Sequence, residues 1–299
     1  MQTYKVYQVD AFTSKKFKGN PAGVVTNAEG LSEQDMQCIA RELNNSETVF
    51  IFPPDDTSHD IKLRYFTPTT EVPSCGHATI AAHYVRAIEK QLNSGRVIQK
   101  IGIGILPVDV VKNDDYTIWM TQGTITFSEP LSGKDRRNLL LALGLVEQEV
   151  DERCPIQIVS TGHSKVMIGI KSRSKLNSLS PNMSRLSELS KEIGCNGYYV
   201  FTFAAPSGDV LTHGRMFAPA IGITEDPVTG NANGPLGAYL VKHRLVAHDD
   251  SLFSFTGAQG EAIGRSGTVE VKVKIENGEP IEVKIGGKAV IVFKTQIEI

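Results

Sequence analysis

The chain contains a second copy of its own pattern, and this repeat constrains the fold more than any other feature. "SEQDMQCIARELNNSETVFIF" (Ser32 to Phe52) faces "NMSRLSELSKEIGCNGYYVFTF" (Asn182 to Phe203) at a shift of about 150 residues. Each copy reads as an amphipathic helix that stops at Asn or Gly and runs straight into an aromatic, β-branched strand. Ser32 with Asp35 predicts the cap of the first helix. Ser180-Pro181 predicts that of the second, with proline at the first helical position. Further on, "RYFTP" (Arg64 to Pro68) matches "RMFAP" (Arg215 to Pro219) at a shift of 151. A turn and a helix follow each: "CGHATIAAHYVRAI" and "TGNANGPLGAYLVKH", with Gly76 opposite Gly230 and Tyr84 opposite Tyr239. The few extra residues of the second copy fall in a connecting loop, where they cost little. Chance supplies one short match, but not helix, strand, "RxFxP" and glycine-helix in one order at one spacing. The expectation is a tandem duplication with two similar lobes.

The two later helices predict how each lobe is built. Ala78, Ile80, Ala81, Ala82, Tyr84, Val85, Ala87 and Ile88 spread around the first, and Leu236, Ala238, Tyr239, Leu240 and Val241 around the second. A helix apolar on most faces is a buried helix. The rest of each half is rich in short alternating strands: "KVYQVDAF", "IKLRYF" and "RVIQKIGIGILPVDVV", then "SKVMIGI", "TVEVKVKI" and "IEVKIGGKAVIVF". Strands wrapped round one buried helix in each lobe satisfy both patterns, giving an α+β chain. The plainer alternative is a pair of α+β domains with helices on one sheet face.

Composition removes several functions. A chain of 299 residues buries roughly 75% of its unfolded surface, so a core needs no staples. Lys plus Arg count 31 against 33 Asp plus Glu, and no segment interleaves basic with aromatic residues, so nucleic acid is not expected as a partner. Apolar runs such as "AVIVF" are far short of the ~20 residues of a membrane helix, and the start of the chain alternates like a strand rather than a signal peptide. Cys38, Cys75, Cys154 and Cys195 form no CxxC pair, which reads as reduced thiols in the cytoplasm.

Both buried helices begin at a glycine-containing turn, "PSCGHAT" and "EDPVTGNANG". The first N–H groups of a helix lack partners inside it and carry positive potential, so such a start seats a carboxylate or phosphate. Gly76 and Gly230 let a ligand approach the backbone; the plainer reading is that they only start helices. If the lobes face each other, the two turns form a pocket for a small anion. Glu47 stands at the head of the run "TVFIF", either as a helix-end residue facing water or as an acid held at the rim of a dry pocket. "GIG" (Gly102 to Gly104) has no following helix and is no dinucleotide fingerprint, and no Walker loop or HExxH occurs. The histidines show no zinc-site spacing, and no metal is expected; His83, His163 and His213 read as structural or solvent-facing.

"DAFTSKKFKGNPAGVV", "NNSETVFI", "RYFTPTTEVPSCGHATIAAHYV" and "GRMFAPAIGITEDPVTGNANGPLGAYLV" closely resemble the PhzF phenazine-biosynthesis-like family, in particular its YddE-like bacterial members. The resemblance runs from the first strand to the last residues. It implies the diaminopimelate-epimerase-like fold: two pseudo-symmetric lobes, each a sheet curled round a central helix, with the active site in the cleft between them. The lobes would be residues 1–118 with 287–299, and residues 119–286, because the last strand, "KAVIVFKTQIEI", returns to the first lobe. The resemblance also implies an isomerase that works without metal or organic cofactor. The glutamate of the family's "SET" motif, Glu47 here, moves a proton from one carbon to another of the same substrate. His77 of "GH" and Asp226 of "DPVTG" position the substrate and assist. The glycine loops, here Cys75 and Gly76 in one and Gly230 and Asn231 in the other, hold the substrate carboxylate, and Asn20 of "GNPAGVV" is placed with them. A homodimer is expected by likeness alone.

The chemistry is consistent with that reading. A carboxylate in water, with a pKa near ~4.3, is a feeble base towards carbon acids, and a dry pocket makes it a stronger one. A helix start that grips the substrate anion also stabilises the charge left as the C–H proton departs. One carboxyl that takes and returns the proton suffices for an isomerase, and the repeat has kept one: the counterpart of Glu47 is Gly197. Related epimerases use two cysteines, one at each glycine turn; this chain has Cys75 at the first and Thr229 at the second, against a two-thiol racemase. Asn231 stands where the phenazine enzyme has a serine, so only a small carboxylate is expected as substrate. The rival readings are a racemase or epimerase using Cys75 with Glu47 or Asp226, and a binding or partner protein that no longer catalyses. The last gains nothing from an acid placed beside an anion.

Overall fold

In the computed structural model, which describes residues 1–205 and 208–299, one unit holds residues 1–121 and 286–299 and the other residues 122–285. The first unit begins with β1 (Thr3–Ala11), β2 (Asn20–Val25), α1 (Glu33–Leu43), β3 (Glu47–Phe52) and β4 (Ile61–Phe66). It continues with the short β5 (Glu71–Val72), α2 (Gly76–Lys90), β6 (Gly95–Ile101), β7 (Gly104–Lys112) and β8 (Tyr116–Thr121). The second unit carries β9 (Thr126–Pro130), α3 (Gly133–Leu143), β10 (Gln157–Ser160), β11 (Lys165–Gly169), α4 (Arg173–Ser178) and α5 (Met183–Ile193). After these come β12 (Tyr198–Phe203), β13 (Thr212–Ala218), β14 (Ile223–Asp226), α6 (Gly230–Lys242), β15 (Leu252–Gln259), β16 (Gly267–Glu276) and β17 (Glu279–Gly287). The final strand, β18 (Ala289–Glu298), pairs antiparallel with β1.

Strand pairing repeats in both units. β2 and β3 are parallel, β3 and β4 antiparallel, β4 and β6 parallel. β11 with β12, β12 with β13 and β13 with β15 follow the same succession. A parallel pair needs a crossover, and α1 and α5 supply it. These helices lie outside their sheets. α1 buries Met36, Ile39 and Ala40 against Phe50 and Phe66, and α5 buries Leu186 and Leu189 in a core with Leu139, Leu143 and Val200. The other two long helices lie inside. α2 is touched by β1, β2, β3, β8 and β18, and α6 by β10, β11, β15 and β16, so each sheet curls round its helix. Most residues of both helices are buried, as apolar residues on every face require; of the large apolar residues of α2, Ile88 is the exposed one, at 41%.

The repeat extends to side chains. Arg64 forks onto Glu71 with both contacts at 2.7 Å, and Arg215 onto Glu225 at 2.9 and 2.7 Å. Each guanidinium also lies over the phenylalanine two residues on, Phe66 or Phe217, at 5.2 and 5.0 Å from the ring centre. The motif "RxF" is therefore one structural device used twice: the alternation of a strand puts residues i and i+2 on one face.

Three local expectations are corrected. Ser32 and Asp35 do form a capping box, but α5 is capped by Asn182, whose side-chain oxygen accepts from the Arg185 N–H at 3.1 Å. Ser180-Pro181 precedes the helix, so the proline is not its first residue. "GIG" is not continuous strand either, since Gly102 and Ile103 form the turn between β6 and β7. "IEVKIGGKAVIVF" divides into β17 and β18 at Lys288, where the Phe12 N–H bonds the Lys288 carbonyl at 2.8 Å and the Phe12 ring occupies the space over Gly287. Among the described residues no helix is long and apolar enough to cross a membrane.

Candidate active site

Glu47 is the first residue of β3, opposite Ala22 of β2 in parallel register. Asn20, two residues before Ala22, shares that face and is fully buried. The turn into β2 needs glycine at Gly19: its φ is +64°, and a Cβ there would lie 2.2 Å from the Ala11 carbonyl oxygen. The Glu47 side chain is only 15% exposed. Its Oε2 is buried with no hydrogen-bond donor among the described residues, and lies 3.4 Å from His77 Nε2. Buried carboxylate oxygens normally take a donor, so this one is poised to take a proton or a ligand's donor.

The neighbours of Glu47 come from the start of α2. Cys75 is its N-cap, with extended backbone and no side-chain cap bond, so the first N–H groups of the helix are left uncapped. A Cβ on Gly76 would meet nothing within 4 Å, which leaves open space over that backbone. His77 is 8% exposed; its Nδ1 faces Cys75 Sγ at 3.4 Å, and its Nε2 is also 3.4 Å from Ser46 Oγ. Thr79 Oγ1 bonds the Cys75 carbonyl at 2.7 Å and Tyr65 Oη at 2.6 Å, which fixes the helix start from below. The strand edge and the helix start thus bring Cys75, His77 and Glu47 together.

In the second unit the start of α6 is built by a different network. Thr229, the N-cap, matches Cys75 in its extended backbone and likewise leaves the first helical N–H groups uncapped. Its hydroxyl is turned to the Asp226 carboxylate, in a short hydrogen bond, and it accepts from Gln259 Nε2 at 3.0 Å. Gln259 also donates to the Asp226 carbonyl at 2.8 Å and accepts from the Thr229 N–H at 3.1 Å. Asn233 ties this turn to the core by donating to Gln259 Oε1 and the Thr229 carbonyl while accepting from Tyr199 Oη. Asp226 is 9% exposed. Asn231 is held by Gln122, whose Nε2 donates to Asn231 Oδ1 at 2.9 Å.

Within the first unit, the residues singled out by sequence divide between the helix start, where Cys75, Gly76, His77 and Glu47 meet, and the adjoining sheet face, where Asn20 lies. Within the second, Asp226, Gly230 and Asn231 gather at the start of α6. Reading the sequence missed Gln259, Gln122 and Tyr199, which carry no motif, and Lys165, which the repeat could have found by pointing at Gly197. Lys165 is 4% exposed, and burial pushes its pKa down to about 8, partly opposed by Asp226 and Cys195. Of the histidines read as structural or solvent-facing, His83 is fully buried and bonded to Gln99 at 2.9 Å. Among the described residues, two groups of donors could hold a cation: Glu47 with Cys75 and His77, and Asp55 with Asp56 and His59 on the surface, each with its ligand atoms within 4.8 Å of one another. The second group is already engaged by Lys62 and Lys100.

The phenazine biosynthesis-like protein family profile matches residues 9–295. An uncharacterized isomerase of Clostridium acetobutylicum is 61% identical over 298 residues, 99% of each chain. The uncharacterized isomerase YddE of Escherichia coli K12 is 51% identical over 98% of this chain and 97% of its own. Among solved structures, the Bacillus anthracis phenazine biosynthesis protein of the PhzF family superposes with a TM-score of 0.90 at 32% identity, over all of both chains. A hydroxyproline epimerase from Agrobacterium vitis, 11% identical, shares the fold with a TM-score of 0.63 over 99% of this chain and 92% of its own. The α+β architecture is the diaminopimelate-epimerase-like fold.

Proposed function

We propose a reaction for a chain that belongs to the phenazine biosynthesis-like protein family and is an isomerase: it moves a proton between two carbons of a small carboxylate-bearing metabolite, with Glu47 as general acid and base. The observation that carries this is Glu47 Oε2, buried, without a hydrogen-bond donor and 3.4 Å from His77 Nε2. The substrate carboxylate is held by the uncapped N–H groups at the start of α2, where the space over Gly76 is open. Glu47 removes a C–H proton, the electron pair delocalises into the substrate's π-system, and the same carboxyl returns the proton at another carbon. His77 orients Glu47, and Asn20 contributes to holding the substrate. Asp226, Gly230 and Asn231 are proposed as assisting and substrate-holding groups on the strength of the family likeness. The relay consists of side chains alone and needs no organic cofactor.

The test is a panel of small unsaturated and amino-bearing carboxylates incubated in deuterium oxide, with deuterium at carbon read by mass spectrometry. Glu47→Gln keeps the shape of the side chain and is expected to abolish incorporation while leaving thermal stability nearly unchanged. Normal turnover by this variant sinks the assignment. A second reading, a racemase or epimerase, is favoured by Cys75 Sγ lying 3.4 Å from His77 Nδ1. Loss of turnover in Cys75→Ala, with inversion at the labelled carbon, selects it.

A further inference from the structure

Three different kinds of metal donor meet at the start of α2: the Glu47 carboxylate, the Cys75 thiol and the His77 imidazole. They come from two elements, since Glu47 heads β3 while Cys75 and His77 flank Gly76. Cys75 Sγ is 3.4 Å from His77 Nδ1, and Glu47 Oε2 is 3.4 Å from His77 Nε2. Bonds of ~2.0 Å to nitrogen or oxygen and ~2.3 Å to sulfur, spread tetrahedrally, put neighbouring donor atoms about 3.3–3.6 Å apart. An ion takes a single ring nitrogen, so one of the two contacts already stands at ligand spacing. One atom from each residue completes a triangle within 4.8 Å, which closes on an ion by side-chain movements of about 1 Å. A second observation points to a ligand in the same place. Glu47 Oε2 is buried without a hydrogen-bond donor among the described residues, where buried carboxylate oxygens normally have one. Cys75 is in no disulfide, so its sulfur can ligate.

We propose that Glu47, Cys75 and His77 form an inhibitory site for a borderline-soft divalent cation of the zinc class, which stops the enzyme by taking Glu47 out of proton transfer. The inhibitory role rests on the reading of Glu47 as general acid and base. The donor set selects the ion. Thiolate and imidazole suit zinc, whereas magnesium and calcium want about six or more oxygens and find one carboxylate here. The surface group of Asp55, Asp56 and His59 lacks a sulfur, and its acids are engaged by Lys62 and Lys100. Binding exchanges the Cys75 S–H bond for a sulfur–zinc bond and releases that proton to water, with no change of oxidation state. The Glu47 lone pair that would take a C–H proton is then held by the ion, and a His77 nitrogen is occupied with it. The helix start is rigid enough to keep the spacing, because Thr79 Oγ1 bonds the Cys75 carbonyl at 2.7 Å. A chelator that removes the ion returns the free carboxylate.

The experiment titrates Co²⁺, as a coloured stand-in for Zn²⁺, into the full-length protein stripped with EDTA and dialysed. A thiolate-to-cobalt charge-transfer band is expected to saturate at one ion per chain and to disappear when Zn²⁺ displaces the cobalt. Cys75→Ser should remove the band. Glu47→Gln should keep it but weaken Co²⁺ binding by at least about 10-fold, as loss of a ligand requires. Cys38→Ser, which removes the exposed thiol, should change neither. No band in the parent protein, a band that survives Cys75→Ser in a chain folded by circular dichroism, or binding indifferent to Glu47→Gln overturns the site. These readouts need no substrate, so they stand or fall separately from the role of Glu47 in proton transfer. On any carboxylate that exchanges deuterium, saturating Zn²⁺ is expected to lower incorporation by about 100-fold or more, and EDTA to restore it. Undiminished exchange by the zinc-saturated protein overturns the inhibitory role.

Discussion

Gln259→Met tests whether the start of α6 is held by one buried amide. Gln259 is 2% exposed and makes four hydrogen bonds: to the Asp226 carbonyl at 2.8 Å, Thr229 Oγ1 at 3.0 Å, the Thr229 N–H at 3.1 Å and Asn233 Nδ2 at 3.2 Å. Methionine fills the same volume and removes all four. The Thr229 N–H then has no acceptor, which costs about 1–3 kcal/mol for a buried donor. Thr229 Oγ1 keeps Asp226 and Asn233 Nδ2 keeps the Thr229 carbonyl, so these lose only the net worth of one bond each, about 0.5–1.5 kcal/mol. A loss of about 3–5 kcal/mol is expected for the second unit. The single tryptophan, Trp119, lies in the first unit, so fluorescence would not report the change; urea unfolding by circular dichroism, with hydrogen exchange along α6, does. Gln2→Met, exposed and with one long hydrogen bond, is the control and should stay within about 0.5 kcal/mol. A loss below about 1 kcal/mol in Gln259→Met, with α6 amides still protected, would refute the idea that this amide organises the turn.

Two further perturbations use the same logic. The repeated fork pairs offer an internal comparison. Arg215 and Glu225 are 8% and 11% exposed and Arg215 also donates to the Leu176 and Leu179 carbonyls, whereas Arg64 is 25% exposed and Glu71 38%. Arg215→Met should therefore cost about 3–5 kcal/mol by urea unfolding and Arg64→Met about 1 kcal/mol or less; equal costs would show that burial does not govern these pairs. The buried His83 has its pKa pushed down to about 4, chiefly by burial. The unfolded chain takes up its proton below about 6.5 while the folded one resists until about 4, so stability is full above pH 6.5 and falls between the two values. The loss is on the order of 3 kcal/mol, and urea midpoints in His83→Gln should be flatter over that range; an unaltered slope would assign the acid loss to other groups.

Much of the architecture was legible in the sequence because local pattern and packing agree there. The spread of apolar residues around 78–88 and 236–241 favoured helices enclosed by sheet over helices on one sheet face, and α2 and α6 are enclosed. Ile88 broke the pattern: it lies in the last turn of α2 and is 41% exposed. "RxF" announced the repeat, and the same arginine fork recurs over the same phenylalanine in both units. Ser180-Pro181 misled because the rule for proline at a helix start cannot tell how far the chain runs extended before Asn182 takes the cap.

The candidate site divides along the same line. Glu47, Cys75, Gly76 and His77 are near one another in the chain or carried by a long family motif, so the sequence by itself determined that a carboxylate, a thiol, an imidazole and an uncapped helix start occur together. Tertiary structure alone decided that the carboxylate oxygen lacks a donor, since burial and hydrogen-bond geometry depend on strands far away in sequence. It alone brought Gln259 to the Asp226 carbonyl, across a chain separation that no short motif spans. The reason is physical. Periodicity and capping are local energies, readable within a few turns of chain, whereas desolvation and charge pairing depend on which distant atoms displace water.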